Sequence, residues 1–293
     1  MLYFFFNLYL FFTRIHLLYS VNTEDKTIFF HVGISKTGST FLQNRVFPLI
    51  KKLHYIPTNR YRKIFSDLKN LKKTRVLVSR ELDRQFEAEI IRFSNQYKNV
   101  TPIIVLRKHE EYFASQYRRF VKNGFKGEVH EFLCLKEDNG FFKKIHFNFL
   151  HQIDFLKKHF NKKPIVLFHH DLISDPLNFI KTFCLLTSAE VDLDNINFRK
   201  KHSSYSEKQL KTIKAASKWV NLEKRRVFKN PILHLFWRFF QASLRYGILY
   251  FSILLPNFIY SKEPLIDPSY LKKIKHYFKD DWEACLNYQN EKK

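Results

Sequence analysis

Glycine is scarce in this chain, six in 293 residues, and so are methionine, at one, and cysteine, at three. Nothing reads as a low-complexity linker or an internal repeat, so one folded domain with additions is expected. Cys134, Cys184 and Cys285 have no metal-ligand spacing, and an odd count argues against a disulfide framework. A reducing, cytoplasmic compartment and no bound metal follow as expectations. Acidic residues are also short: 27 Asp and Glu stand against 51 Lys and Arg, a formal charge of +24. That balance favours an anionic partner: a nucleotide, a nucleic acid, an acidic glycan or a membrane surface. The competing reading is a solvated lysine-rich surface, because few glycines with many Phe, Lys and Asn are also what AT-rich coding produces.

Uninterrupted apolar runs of spanning length are missing too. Residues 1–12, "MLYFFFNLYLFF", are broken by Arg14 and His16 before the roughly 20 residues that a spanning helix requires. They lack the leading basic residues and the small-residue cleavage site of a signal peptide. Residues 1–26 are therefore set apart as an apolar segment, with a membrane-surface anchor and a short type II anchor both open; a Golgi-type anchor fits less well than peripheral attachment. Residues 231–260 are apolar and aromatic but contain Arg238, Arg245 and Pro256. An amphipathic helix suits them, placed at an interface or an acceptor groove, or else packed on the core.

What the chain does contain is an alternation of short apolar runs and helical periodicity. "TIFFHV" (27–32), "RVLVS" (75–79), "PIIVLR" (102–107) and "PIVLF" (164–168) suit parallel strands buried on both faces. Between them, residues 60–71 place Ile64, Leu68 and Leu71 on one helical face, and 82–96 place Leu82, Phe86, Ile90 and Phe93 likewise. Asp175 and Pro176 open a helix whose Phe179, Ile180, Phe183 and Leu186 face inward. "SEKQ" at 206–209 is a capping-box pattern opening a long helix, and Asp267 with Pro268 opens the last one. The fold class read from this is α/β: a central parallel sheet flanked by helices in three layers, spanning 27–293, with an additional helical region at about 206–265.

Ligands of such sheets bind beyond the carboxyl ends of the strands. The first strand delivers "HVGISKTGSTFLQ". Gly33 and Gly38 let backbone N–H groups turn toward an anion, Lys36 adds a charge, and Ser39 and Thr40 stand at a helix N-terminus. The stretch reads as a phosphate loop; a glycine turn with a solvent-facing lysine is the plainer alternative. It is not a Walker A loop, because Lys36 precedes the second glycine by two residues instead of following it.

These residues resemble the sulfotransferases that use 3′-phosphoadenosine-5′-phosphosulfate (PAPS), in their bacterial and glycan-type branch. The loop resembles that family's "HVG-PKTGTT-LQ", with Ser35 for proline and Ser39 for threonine. "VLRKHEEYFASQY" resembles its second signature, supplying Arg107 and Ser115 eight residues apart. "LVSRELDRQF" is similar to the "SSE" after the second strand, with Arg80 for the second serine. "IVLFHHDLISDPLNFIKTFC" has His170 for the family's acid, and "KKHSSYS" is similar to its "vN-S-S" loop. The likeness runs over roughly residues 27–225, plus a closing helix.

The resemblance implies a P-loop-like fold and transfer of a sulfuryl group from PAPS to a hydroxyl of a glycan or lipid-linked acceptor, without a metal. Lys36, with Gly33, Ser35, Thr37, Gly38, Ser39 and Thr40, would hold the 5′-phosphate, and Arg107 and Ser115 the 3′-phosphate. Glu81, directly after the second strand, would be the general base. A helix-terminal role for Glu81 is the alternative, and His31, His109, His169 and His170 are its rivals. Against this stands a basic nucleic-acid or anionic-membrane binder without catalysis, suggested by the charge alone, and a nucleotide kinase, weakened by the misplaced lysine. Under the sulfotransferase reading no nucleic-acid partner is expected.

Overall fold

The computed structural model describes residues 26–199, 205–222 and 228–290. The apolar segment 1–26, save Lys26, and positions 200–204 of the "KKHSSYS" loop lie outside them. The chain divides into two compact units, Met1–Leu106 with Gln152–Ile196, and Arg107–His151 with Asn197–Lys293.

The first unit holds the sheet. Its strands are β1 (Thr27–Gly33), β3 (His54–Ile56), β4 (Arg75–Ser79), β5 (Val100–Leu106) and β6 (Ile165–Phe168), in the order β3-β4-β1-β5-β6 and all parallel. A short antiparallel pair, β2 (Ile50–Lys51) with β7 (Glu190–Val191), stands apart. One face carries Phe29, Leu77, Ile103, Val105 and Leu167, packed on Leu42, Val46 and Phe47 and on Phe179, Ile180 and Phe183. On the other, Phe30 stacks on Phe93 of helix Phe86–Ser94, ring centroids 4.4 Å apart, and Phe160 meets Phe93 edge-on. Both faces are thus covered, which is why the strands are continuous apolar runs; each such Phe contributes roughly 1.5–3 kcal/mol of burial. The α/β class with a central parallel sheet flanked by helices is the observed one.

β1 lies at the centre, and the chain fills one side of it (β3, β4) before crossing to the other (β5, β6). That reversal opens a crevice beyond the carboxyl end of β1.

Four expectations about elements are corrected. β3 was not foreseen: it is a three-residue edge strand in which His54 is exposed, so it lacks the doubly buried run that marks the others. The helix expected over 82–96 spans Phe86–Ser94, because Leu82 N–H still donates to the Val32 carbonyl (3.0 Å), prolonging the strand pairing past Ser79. Leu186 is exposed, while Phe179, Ile180 and Phe183 are buried behind the Asp175 cap, whose carboxylate accepts from Asn178 N–H (3.0 Å). The helix opened by the Ser206 and Gln209 capping box runs only over Glu207–Ala216.

The second unit is helical, with His109–Lys122, Pro231–Leu254, Pro268–Tyr277 and Lys279–Asn290 as its longer helices beside Glu207–Ala216. Its interior is dense in rings: Phe113, Tyr117, Phe132, Phe142 and Phe147 are fully buried. Asp281 accepts from the N–H groups of Phe149 and Leu150 (3.0 and 2.9 Å), capping the helix that begins there.

Candidate functional site

The loop at the end of β1 is built around two glycines that no other residue could replace without strain. Gly33 has φ +103°, and a β-carbon there would lie 3.3 Å from the Cα of Glu81 and from Leu82 N. Gly38 has φ +85°, and its β-carbon would come within 2.4 Å of the Leu172 side chain. Lys36 also takes a left-handed conformation, φ 68°, which costs a lysine more than it would a glycine. The helical stretch that follows is α-helical at Ser39–Phe41, a π turn over Leu42–Val46 and 3-10 over Phe47–Leu49.

Within the loop the side chains divide in two. Thr37 Oγ1 and Ser39 Oγ donate to the Ile34 carbonyl (2.6 and 3.2 Å), and Ser35 Oγ donates to Asp83 (2.5 Å); all three residues are buried. Their hydroxyl protons shape the loop, so toward an anion these residues offer main-chain N–H groups at the start of a helical stretch. Lys36 and Thr40 are exposed.

Glu81 is brought to this loop by two hydrogen bonds that carry the chain alongside β1: Arg80 N–H to the His31 carbonyl (2.9 Å) and Leu82 N–H to the Val32 carbonyl. It is half-buried and stands five residues before helix Phe86–Ser94, so it is not a first-turn helix residue. Its charge is felt by Tyr55, whose hydroxyl is pushed up to about 12, first by burial and then by the Glu81 carboxylate. Tyr55, Gln43, Asn44 and His54, with Phe47 and Leu53, line a hollow of about 570 Å³ in the first unit. Gln43 Nε2 donates to Ser79 Oγ (3.0 Å), tying one wall of this hollow to the end of β4.

The histidines sort differently from their sequence positions. His31 is wholly buried, with Nδ1 2.8 Å from Ser79 Oγ, and burial lowers its pKa to about 3. It is a neutral core residue; its Nε2 has no partner, so it is only half satisfied. His109, a rival of Glu81 as general base, is buried in the second unit. Its ring is sandwiched between Phe149 (4.2 Å) and Phe278 (4.8 Å), and its Nε2 is shared between the Phe147 carbonyl and Asp281 (3.0 and 2.9 Å). His170 is exposed beside Asp171 (3.1 Å). His169 lies 3.7 Å from the β-carbon position of Gly38.

Arg107 and Ser115 belong to the second unit. Arg107 follows β5 directly, and its Nε pairs with Glu111 Oε2 at 3.1 Å. Ser115 lies on helix His109–Lys122 and is half-buried. Among the described residues no cluster of His, Cys, Asp and Glu could hold a metal ion. Sequence reasoning passed over Asp83, which holds Ser35, over Tyr55 and Gln43, and over the chemistry of Arg80, which lies against the Tyr61 ring (5.4 Å) with its Nε buried and unpartnered. Only the position of Arg80 and Asp83 beside Glu81 could have flagged them.

No protein-family model matches the chain, and no curated protein does. Among solved structures it is similar to the crystal structure of a sulfotransferase from Alicyclobacillus acidocaldarius, at 14% identity with a TM-score of 0.47, over 68% of this chain and 94% of that one.

Proposed function

We propose that this chain transfers a sulfuryl group from PAPS to an acceptor hydroxyl. One observation carries the reading: the loop that ends the central strand exposes Lys36 between two positive-φ glycines and runs directly against the backbone of Glu81. An anion-binding loop and a carboxylate at one strand end are what an in-line transfer between two oxygens requires.

In this reading the bond from sulfur to the 5′-phosphate oxygen breaks and one from sulfur to the acceptor oxygen forms. Lys36 and the N–H groups of residues 37–40 stabilise charge growing on the departing phosphate. Glu81 takes the acceptor's proton, so that the hydroxyl becomes nucleophilic as the bond forms. Arg107 and Ser115 are assigned the 3′-phosphate, which distinguishes 3′,5′-ADP from an ordinary nucleotide. The hollow lined by Gln43, Asn44, His54 and Tyr55 supports a polyhydroxylated acceptor, glycan or lipid-linked, because its wall includes both hydrogen-bonding groups and rings.

Thermal stabilisation of the full chain by 3′,5′-ADP, ATP and a single-stranded oligonucleotide separates the readings. Stabilisation by 3′,5′-ADP well beyond the other two is the expected result. Preference for ATP would assign a kinase-like nucleotide site instead, and response to the oligonucleotide alone would assign a nucleic-acid binder.

A further inference from the structure

Helix Pro231–Leu254 is amphipathic in the reverse sense to an ordinary surface helix. Four of its polar residues, His234, Gln241, Arg245 and Ser252, lie on the covered side, where Ser252 and Leu249 are buried and Gln209 Nε2 donates to the Leu249 carbonyl (3.2 Å). Arg245 Nη2 reaches the Leu222 carbonyl on the same side (3.4 Å). The uncovered side is mostly apolar: Ile232, Phe236, Phe239, Phe240, Phe251 and Leu254 are exposed, Phe239 by 72% and Leu254 by 79%. Phe258 and Ile259, just beyond Pro256, are exposed as well, Phe258 by 87%. A soluble protein rarely leaves an apolar face of this extent in water.

We infer that this face lies in the surface of an anionic lipid bilayer, with the helix parallel to the membrane plane. Charge selects that occupant. The 24 residues of the helix include no Asp or Glu, Lys229, Arg238 and Lys262 within and beside it are exposed, and the chain carries +24. A second copy would bring a further +24 against the same face, whereas anionic headgroups neutralise it. Long basic side chains at such a face carry their charge up to the headgroups while their stems stay apolar. No helix among the described residues is long and apolar enough to cross a membrane. The helix would lie flat, its rings at the boundary between headgroup and acyl chain. Ser243 and Gly247, one turn apart, leave a notch of about 460 Å³ between Phe240 and Phe251, and a β-carbon on Gly247 would meet nothing within 4 Å. Such a notch accommodates part of an acyl chain.

Flotation of the full chain with vesicles made of equal parts phosphatidylglycerol and phosphatidylcholine, beside pure phosphatidylcholine, tests this directly. The chain is expected to float with the anionic vesicles, less so at high salt. The double variant Phe239→Asp, Phe251→Asp should partition at least about tenfold less while melting at the wild-type temperature, since both side chains are exposed. Failure of the folded wild-type chain to float overturns the inference. Equal flotation of the double variant also does so, placing any contact elsewhere on the chain. A lipid-free dimer that the same two substitutions dissociate would assign the face to a second copy and overturn it equally. None of these outcomes depends on PAPS or on turnover.

Discussion

The backbone of Glu81 lies where a side chain on Gly33 would have to go: a β-carbon built on Gly33 comes within 3.3 Å of the Glu81 Cα. The glycine and the carboxylate are 48 residues apart in sequence, and each is positioned by the other's strand.

Gly33→Ala should therefore fail twice, through a left-handed φ of +103° and through contacts with backbone that cannot rotate away. A loss of about 1 to 3 kcal/mol in unfolding free energy is expected. Affinity for 3′,5′-ADP should fall with it. Chemical denaturation and calorimetric titration of the same preparation read both effects.

Lys36→Ala is the opposite case, since the side chain is exposed. Its melting temperature should stay close to wild type while sulfuryl transfer falls by roughly 10² to 10³, the usual worth of one group that stabilises transition-state charge. Near-normal turnover by the folded variant would remove Lys36 from the mechanism.

Glu81→Gln keeps the shape of the side chain and removes the proton acceptor. The rate should drop roughly 10² to 10⁴ with 3′,5′-ADP affinity unchanged. Parallel loss of affinity and rate would make the residue structural. The Tyr55 hydroxyl, held up in part by the Glu81 charge, should titrate at lower pH in this variant, an ultraviolet readout independent of turnover.

Arg107→Ala should weaken 3′,5′-ADP by tenfold to a few hundredfold and leave 5′-AMP nearly untouched, on the strength of one or two charge-assisted hydrogen bonds at about 1.5 to 3 kcal/mol each. The ion pair with Glu111 competes for the same guanidinium. A partly exposed pair of this kind contributes no more than about 1 kcal/mol. Glu111→Ala should accordingly tighten 3′,5′-ADP by up to about fivefold. If the preference for 3′,5′-ADP over 5′-AMP survives in Arg107→Ala, the 3′-phosphate is read elsewhere.

Burial of His31 makes stability depend on pH. Its folded pKa, about 3, lies below the unfolded value of 6.5, so below 6.5 the unfolded chain binds the extra proton. The contribution is complete above pH 6.5 and is lost as pH falls toward 3, at up to about 1.4 kcal/mol per unit. His31→Phe retains a ring beside Phe47 and has nothing to titrate. Urea denaturation between pH 4 and 7 should show a shallower slope for the variant, and equal slopes would contradict a neutral buried imidazole.

How far these features can be read without a structure depends on whether they are local. β1, β4, β5 and β6 were legible because a strand covered on both faces must be apolar throughout, and the caps at Asp175, Ser206 and Asp267 because a capping side chain bonds within three residues of itself. The glycine spacing around Lys36 was legible for the same reason. The edge strand His54–Ile56, the start of helix Phe86–Ser94 and the burial of His109 were not, since each depends on a partner far along the chain: Val76–Val78 for the first, Val32 for the second, Asp281 for the third.

Helix Pro231–Leu254 shows where that boundary falls. Its periodicity, written in the amino-acid order, divides a polar stripe from an apolar one, because side chains four apart share a face whatever surrounds them. Which stripe meets protein is decided by the neighbours. Gln209 and Leu222 hold the covered side at Leu249 and Arg245, and so Phe239 and Phe251 are left outward. Amphipathicity belongs to the chain alone; burial requires something to be buried against, and that something is supplied only when the rest of the unit has folded.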